Sequence, residues 1–169
     1  MNAKFFHQMR YLIDGYNLVY ALGIVRRNGG RAAWDRGRCE LLDWLADQTG
    51  KAASDVTIIF DAQNAFGGLI EERHRGLNII RDRGRTADDL IEDLLKQENS
   101  PLELTVVSTD GRIRDAAIVR GCPTMKCEDY VDFLMNPRRA STEDKRLENE
   151  KPSQTSAEET IKWMKAFGG

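Results

Sequence analysis

Four short apolar runs, each ending in or beside an acid, punctuate the chain: Tyr11-Leu-Ile-Asp14, Val56-Thr-Ile-Ile-Phe-Asp61, Leu77-Asn-Ile-Ile-Arg-Asp82 and Leu104-Thr-Val-Val-Ser-Thr-Asp110. β-Branched residues dominate three of them, and 56–60 and 104–107 are almost continuously apolar, the pattern of parallel strands covered on both faces. Between the runs the spacing becomes helical. Residues 34–49 set Leu41, Leu42, Trp44 and Leu45 on one side and stop at Gly50, a common helix end. Residues 86–99 predict a second helix, ended by Ser100-Pro101. Residues 110–120 predict a third, with Ile113, Ala116, Ala117 and Ile118 inward and Gly121 closing it. A short strand in 123–127 and a helix over 128–135 complete the series. Strands alternating with helices predict βαβ units, hence an α/β fold around a doubly wound, mainly parallel sheet.

The pattern also divides the chain. Residues 1–135 form the predicted domain, with its core beginning near Arg10. Residues 136–156 are polar, of mixed charge and carry two prolines, which predicts a flexible linker. Residues 157–169 regain helical spacing through Ile161, Met164 and Phe167. They predict a short amphipathic helix that either docks back on the domain or holds a partner.

Composition adds an uneven charge distribution. The 169 residues carry a net charge of −2 and are 41% hydrophobic, enough for one core. Between Arg26 and Arg38, however, five arginines (Arg26, Arg27, Arg31, Arg36, Arg38) face the single acid Asp35, a local charge of +4. Between Arg73 and Arg85 another five (Arg73, Arg75, Arg81, Arg83, Arg85) face only Asp82, again +4. These segments read either as solvated arginine-rich loops or as phosphate-binding surfaces, since a planar guanidinium pairs with phosphate oxygens through two parallel bonds. The three cysteines, Cys39, Cys122 and Cys127, have no zinc spacing. Their odd number and an N-terminus without a secretory apolar run predict a reducing, cytoplasmic setting. No segment is apolar for the roughly 18 residues of a membrane span.

The acids carry the candidate chemistry. In open α/β sheets ligands bind at the carboxyl ends of the strands, where Asp14, Asp61 and Asp110 are expected. Asp88 and Asp89 open the helix over 86–99 near that same edge, and Glu92 follows Asp88 by one turn. Several have a plain structural explanation: Asp14 as a turn residue, Asp110 as a helix N-cap, Asp89 as partner of a Thr86 cap, and Glu92 and Asp93 as solvated helix face. Together, though, four carboxylates from separate stretches of chain would repel one another on a small patch. A hard cation resolves that, and Mg²⁺ or Mn²⁺ suits carboxylate and water ligands. Such a centre favours phosphodiester hydrolysis.

Here the chain resembles a known family. Leu12-Ile-Asp-Gly-Tyr-Asn-Leu18 is similar to the strand-one signature of the NYN domain, in its YacP-like branch. Ile59-Phe-Asp61, Thr86-Ala-Asp88 with Ile91-Glu92, and Val107-Ser-Thr-Asp110 match its later stations in order. The likeness covers about 10–134; the chain has Ala87-Asp88-Asp89 where the family often has Ala-Asp-Glu, and no counterpart beyond Asn136 is evident. The resemblance implies a PIN-like three-layer sandwich with a sheet of about five strands and a divalent-metal centre. It implies an RNA endonuclease acting on single-stranded RNA, with a link to mRNA decay near ribosomes. Carried over, Asp14, Asp61, Asp88 and Asp110 are the expected catalytic and metal-binding acids, with Glu92 as a further metal ligand. Asn17, in the turn after strand one, is expected to orient a ligand or phosphate.

RNA contacts are expected from Arg26, Arg27, Arg31, Arg73, Arg75, Arg81 and Arg83, because both basic segments follow strands whose ends carry the acids. Phe66, Tyr16 and Trp34 are candidate stacking surfaces for unpaired bases, with Trp34 equally readable as core. Three other readings compete. A catalytically silent RNA- or ribosome-binding module would keep the fold. A strand-end aspartate phosphatase needs a second Asp where Tyr16 stands, and a phosphoacceptor receiver needs an acid pair at the first strand. Nucleotide-binding glycine motifs are absent from the sequence.

Overall fold

The computed structural model describes residues 9–26, 29–61 and 68–136. The chain divides into two units at Met135–Asn136, and the elements that follow belong to the first. The expected linker beyond Asn136 and the C-terminal helix, like Arg27 and Phe66, lie outside the described residues.

Six strands form one sheet in the order β3-β4-β2-β1-β5-β6. They are β1 (Arg10–Asp14), β2 (Val56–Asp61), β3 (Leu69–His74), β4 (Leu77–Asp82), β5 (Leu104–Val107) and β6 (Thr124–Met125). All neighbours run parallel except β3, which pairs antiparallel with β4. The helices are α1 (Gly15–Ala21), α2 (Arg31–Thr49), α3 (Ala87–Gln97), α4 (Gly111–Arg120) and α5 (Cys127–Met135).

Successive strand residues point to opposite faces, and the core follows that alternation. Ile13, Ile58, Phe60, Ile79 and Val107 join a cluster with Leu18, Leu41, Leu45 and Tyr130 from α1, α2 and α5. Leu12, Ile59 and Val106 join a second cluster with Leu90, Ile91, Leu95, Ile113 and Ala117 from α3 and α4. Two helical layers therefore enclose the sheet. The α/β three-layer architecture expected from the sequence is present, with six strands rather than about five.

Three local differences bear on function. The strand β3 is not among the predicted ones: its Leu-Ile-Glu-Glu-Arg-His composition leaves only Ile70 and His74 partly buried, as suits a charged edge strand. It turns into β4 through Arg75 (φ 48°) and Gly76 (φ 94°), a two-residue hairpin with left-handed conformations at both positions. Second, Asp14-Gly-Tyr-Asn17 is not a turn but the start of α1. A Cβ on Gly15 would stand 2.3 Å from the Phe60 ring, so only glycine lets this helix leave β1 so sharply. Third, Ile118 is 61% exposed and turned away from the core. The inward face of α4 rests on Ile113 and Ala117, with Ala116 packed partly against the same cluster.

Candidate active site

Because β1, β2, β4 and β5 are parallel, their carboxyl ends share one rim of the sheet. Asp14 ends β1, Asp61 ends β2 beside Asp82 of β4, and Ser108-Thr109-Asp110 follows β5. The helix α3 begins at this rim too, since its first residue, Ala87, donates its backbone N–H to Asp61 Oδ1. Asp14, Asp61, Asp88 and Asp110 thus come to this rim from four segments.

Asp14 is 4% exposed. Its Oδ1 accepts the backbone N–H of Asn17 at 3.3 Å, the cap of α1, and its Oδ2 accepts Asn17 Nδ2 at 2.5 Å and the Ser108 hydroxyl at 3.3 Å. Burial raises its carboxyl from 3.8 to about 6; the Asn17 and Ser108 bonds pull it down and Asp88 pushes it further up. Asp88, in the first turn of α3, is also raised, first by burial and then by Asp110, with Asp61 and Asp89 adding to the effect and Arg112 opposing it. Asp88 is therefore the electrostatic centre of the rim, acting on or acted on by each of Asp14, Asp61 and Asp110. Asp110 is at once a rim acid and the N-cap of α4, its Oδ1 accepting Arg112 N–H at 2.7 Å.

Asn17 is a residue of α1 whose amide bridges Asp14 and Ser108 Oγ, the latter at 3.2 Å. It therefore stands in a helix rather than in the expected turn, because Gly15 admits a helix there. Ser108 was not singled out by its sequence position. Fully buried, its hydroxyl touches Asp14, Asn17 and the backbone N–H of Asp110 at 3.0 Å. The signal available was a hydroxyl two residues before a strand-end acid.

Glu92 is engaged elsewhere. Its Oε1 lies 2.6 Å from Arg112 Nε, while Arg112 Nη2 lies 3.0 Å from Asp89 Oδ1. The expected Thr86 cap is present, with Asp89 N–H donating to Thr86 Oγ1 at 3.2 Å, but the Asp89 carboxylate pairs across to α4 rather than back to Thr86. Among the described residues no three Asp, Glu, His or Cys side chains are grouped so as to enclose a cation. The donor set at the rim is nonetheless all oxygen, the chemistry that hard divalent ions prefer.

The arginines separate into two groups. Arg75 sits in the β3–β4 turn, at the sheet edge opposite the acids, 2.6 Å from Asp47 and 3.9 Å from Asp43. Arg73 pairs in register with Asn78, near that same far edge. Their expected position beside the acids is thus corrected: the hairpin carries them away from the rim. Arg81 and Arg83 lie at the acidic end of β4; Arg81 pairs with Glu72, and Arg83 is exposed. Arg31 opens α2, and Arg26 follows α1; both are exposed. Arg85 grips Asp82 at 2.7 Å and Asp93 at 2.6 Å, which leaves Asp82 a structural acid. Tyr16 and Trp34 pack edge to face at 5.2 Å against the first core cluster, so both are packing residues before they are stacking surfaces.

A comparison with curated proteins finds no match. Among solved structures the chain resembles Rae1 (YacP) from Bacillus subtilis at 22% identity, with 92% of each chain covered and a TM-score of 0.57. It resembles a tryptophan-to-leucine mutant of that protein at 21% identity, covering 85% of this chain and 86% of the other, with a TM-score of 0.59. These likenesses establish the fold. The model of the YacP-like NYN domain matches residues 11–166, reaching past Leu134, where the likeness in the motifs ends, and through the segment for which no counterpart was evident. On that match, the chain belongs to the YacP-like NYN domain family.

Proposed function

We propose that this chain is a metal-dependent endoribonuclease that hydrolyses phosphodiester bonds in single-stranded RNA, with Asp14, Asp61, Asp88 and Asp110 as its working acids. The observation that carries the reading is the rim itself, where four segments deliver carboxylates, and burial there makes Asp14 and Asp88 harder to ionise. Carboxylates that repel one another around a buried one add nothing to stability; their clustering with shifted pKa values is a mark of function. The all-oxygen donors fit Mg²⁺ or Mn²⁺. Because Mg²⁺ keeps several waters and needs only one or two carboxylates, an open set such as this one fits it better than a closed cage would. A bound ion would supply an acidified water and neutralise charge on the scissile phosphate.

The protein's own residues do the rest. Asn17 and Ser108 hold Asp14 Oδ2 in place. The Ala87 amide holds Asp61, and the Arg112 amide holds Asp110. Asp88 accepts no hydrogen bond from the described residues and has a raised carboxyl, so it is the acid best suited to take the proton from an attacking water. Family membership supports RNA as the substrate, and mRNA at or near ribosomes within that class. The three cysteines, all free, support a cytoplasmic setting, and no described helix is long and apolar enough to cross a membrane.

The test is incubation of labelled single-stranded RNA with the protein and Mn²⁺, wild type against Asp14→Asn. Metal-dependent cleavage lost in the variant is expected. Cleavage that persists in Asp14→Asn, or that survives excess EDTA, overturns the proposal. The pairing of Glu92 with Arg112 and the lack of an enclosed cation set among the described residues favour a second reading, a silent RNA-binding module. That reading predicts RNA binding with no Mn²⁺-stimulated cleavage on any single strand.

A further inference from the structure

A groove of about 430 Å³ lies between α2 and the β3–β4 hairpin, on the α2 face of the sheet. Arg38 of α2, Arg81 of β4 and Arg73 of β3 line it, against Glu72 as the only carboxylate among its described lining residues. His74, also in its wall, is bonded to Asp43 at 2.8 Å. Two of these arginines are poorly satisfied. Arg81 Nη2 bonds Glu72, but its Nε is buried and has no acceptor among the described residues. A guanidinium carries five N–H donors, so one carboxylate oxygen leaves most of this one uncommitted. Arg38 has only a loose 3.8 Å approach to the exposed Asp35, and its guanidinium stands 6.0 Å from the centre of the Phe60 ring.

One end of the groove is Arg81, in register with Phe60, the residue before Asp61. Tyr16 lies beside Asp61: its hydroxyl is 3.4 Å from the Asp61 carbonyl, and the charges of Arg38, Arg81 and Asp61 all act on it. Walls that carry three arginines, one of them a single register position from Asp61, have the sign to take phosphates.

We propose that the Arg38–Arg81 groove is a phosphate-binding subsite that seats the RNA strand on the β2–β4 side of the acidic rim, with Arg73 at its far end. This rests on the endoribonuclease reading for its substrate class and refines it. Of the seven arginines expected to bind RNA, it keeps Arg73 and Arg81, adds Arg38 and excludes Arg75. Phosphate oxygens would accept from the uncommitted Arg81 and Arg38 donors, and counterions would leave as they bind.

Binding of a 5′-labelled 12-nucleotide oligouridine is measured by fluorescence anisotropy in EDTA, across a series of NaCl concentrations, so that affinity is read apart from cleavage. Each lost phosphate contact flattens the plot of log K against log salt by about 0.7 for a single strand. Arg38→Gln and Arg81→Gln should each lower the slope by about that amount, and the double variant by about twice it, with Kd rising about tenfold or more. Arg75→Gln, whose guanidinium is already committed to Asp47 and Asp43 and does not line the groove, should match wild type. If Arg81→Gln fails to fold, Arg38→Gln decides alone. A wild-type slope in the Arg38 variant, an equal loss in Arg75→Gln, or no binding of the oligomer by wild type in EDTA overturns the groove. Failure of the nuclease reading looks different: arginine-dependent binding would persist while Mn²⁺ produced no cleavage.

Discussion

If the rim is built for a cation, removing one of its charges should stabilise the empty protein. Asp14→Asn is the sharpest form of that test, because the amide has nearly the shape of the carboxylate. Asp14 is 4% exposed and its carboxyl is raised from 3.8 to about 6; at about 1.4 kcal/mol per pKa unit, ionising it in the folded chain costs about 3 kcal/mol more than in the unfolded chain. The sign follows from proton counting. Between pH 3.8 and about 6 the folded state holds the proton that the unfolded state has released, so stability falls as pH rises through that window. Above it the full penalty stands, and below it there is none. The bonds from Asn17 and Ser108 already oppose the shift, and Asn17 turned about its amide can accept from an asparagine at position 14. Asp14→Asn is therefore expected to be about 1–3 kcal/mol more stable than wild type at pH 8 in EDTA. The gap should close below pH 4. Urea unfolding across that pH range measures it, and added Mn²⁺ should narrow the gap by stabilising wild type alone. A variant less stable than wild type at pH 8, or a difference that ignores pH, refutes the claim that Asp14 is held at an energetic cost.

Two further substitutions probe how the rim is built. Gly15→Ala places a methyl 2.3 Å from the Phe60 ring, and overpacking of this kind costs about 1–3 kcal/mol; an unchanged urea midpoint would mean that α1 leaves β1 by another route. Ser108→Ala removes the hydroxyl shared by Asp14, Asn17 and Asp110, and with it a bond that lowers the Asp14 carboxyl. Its Asp14 pKa should rise above the wild-type value in a carboxyl-carbon NMR titration, with stability at pH 4 falling by about 1–3 kcal/mol for the unsatisfied groups; a pKa that stays put or drops counts against Ser108 as the organiser of the site.

What could be read from the sequence was whatever is buried on both sides. The runs at 11–14, 56–61, 77–82 and 104–107 are strands because a covered parallel sheet demands continuous apolarity, and their terminal acids mark the rim directly. What escaped was decided by contacts between distant segments. β3 carries too many charges to look like a strand, since an edge needs only one partner; missing it also misplaced Arg73 and Arg75, which the hairpin turns toward the wrong end of the sheet. Asp-Gly-Tyr-Asn looks like a turn until Phe60 is seen to require the glycine. The capture of Glu92 by Arg112 joins α3 to α4, and no spacing along either helix announces it. Ser108 became visible only once β1 and β5 were adjacent.

The rim also shows how carboxylates are tolerated together. Three helices present their amino ends to it. Asp14 takes an amide at the start of α1, Asp61 the first amide of α3, and Asp110 an amide in the first turn of α4, while Asp88 lies in the first turn of α3. Each helix end offers partial positive charge, about 0.3–1 kcal/mol for a nearby anion and somewhat more when partly buried. For Asp14 that is too little, because burial still lifts its carboxyl to about 6. The amides fix where the carboxylates point without neutralising the patch they form. Orientation is supplied by the fold, and the negative charge of the patch stays.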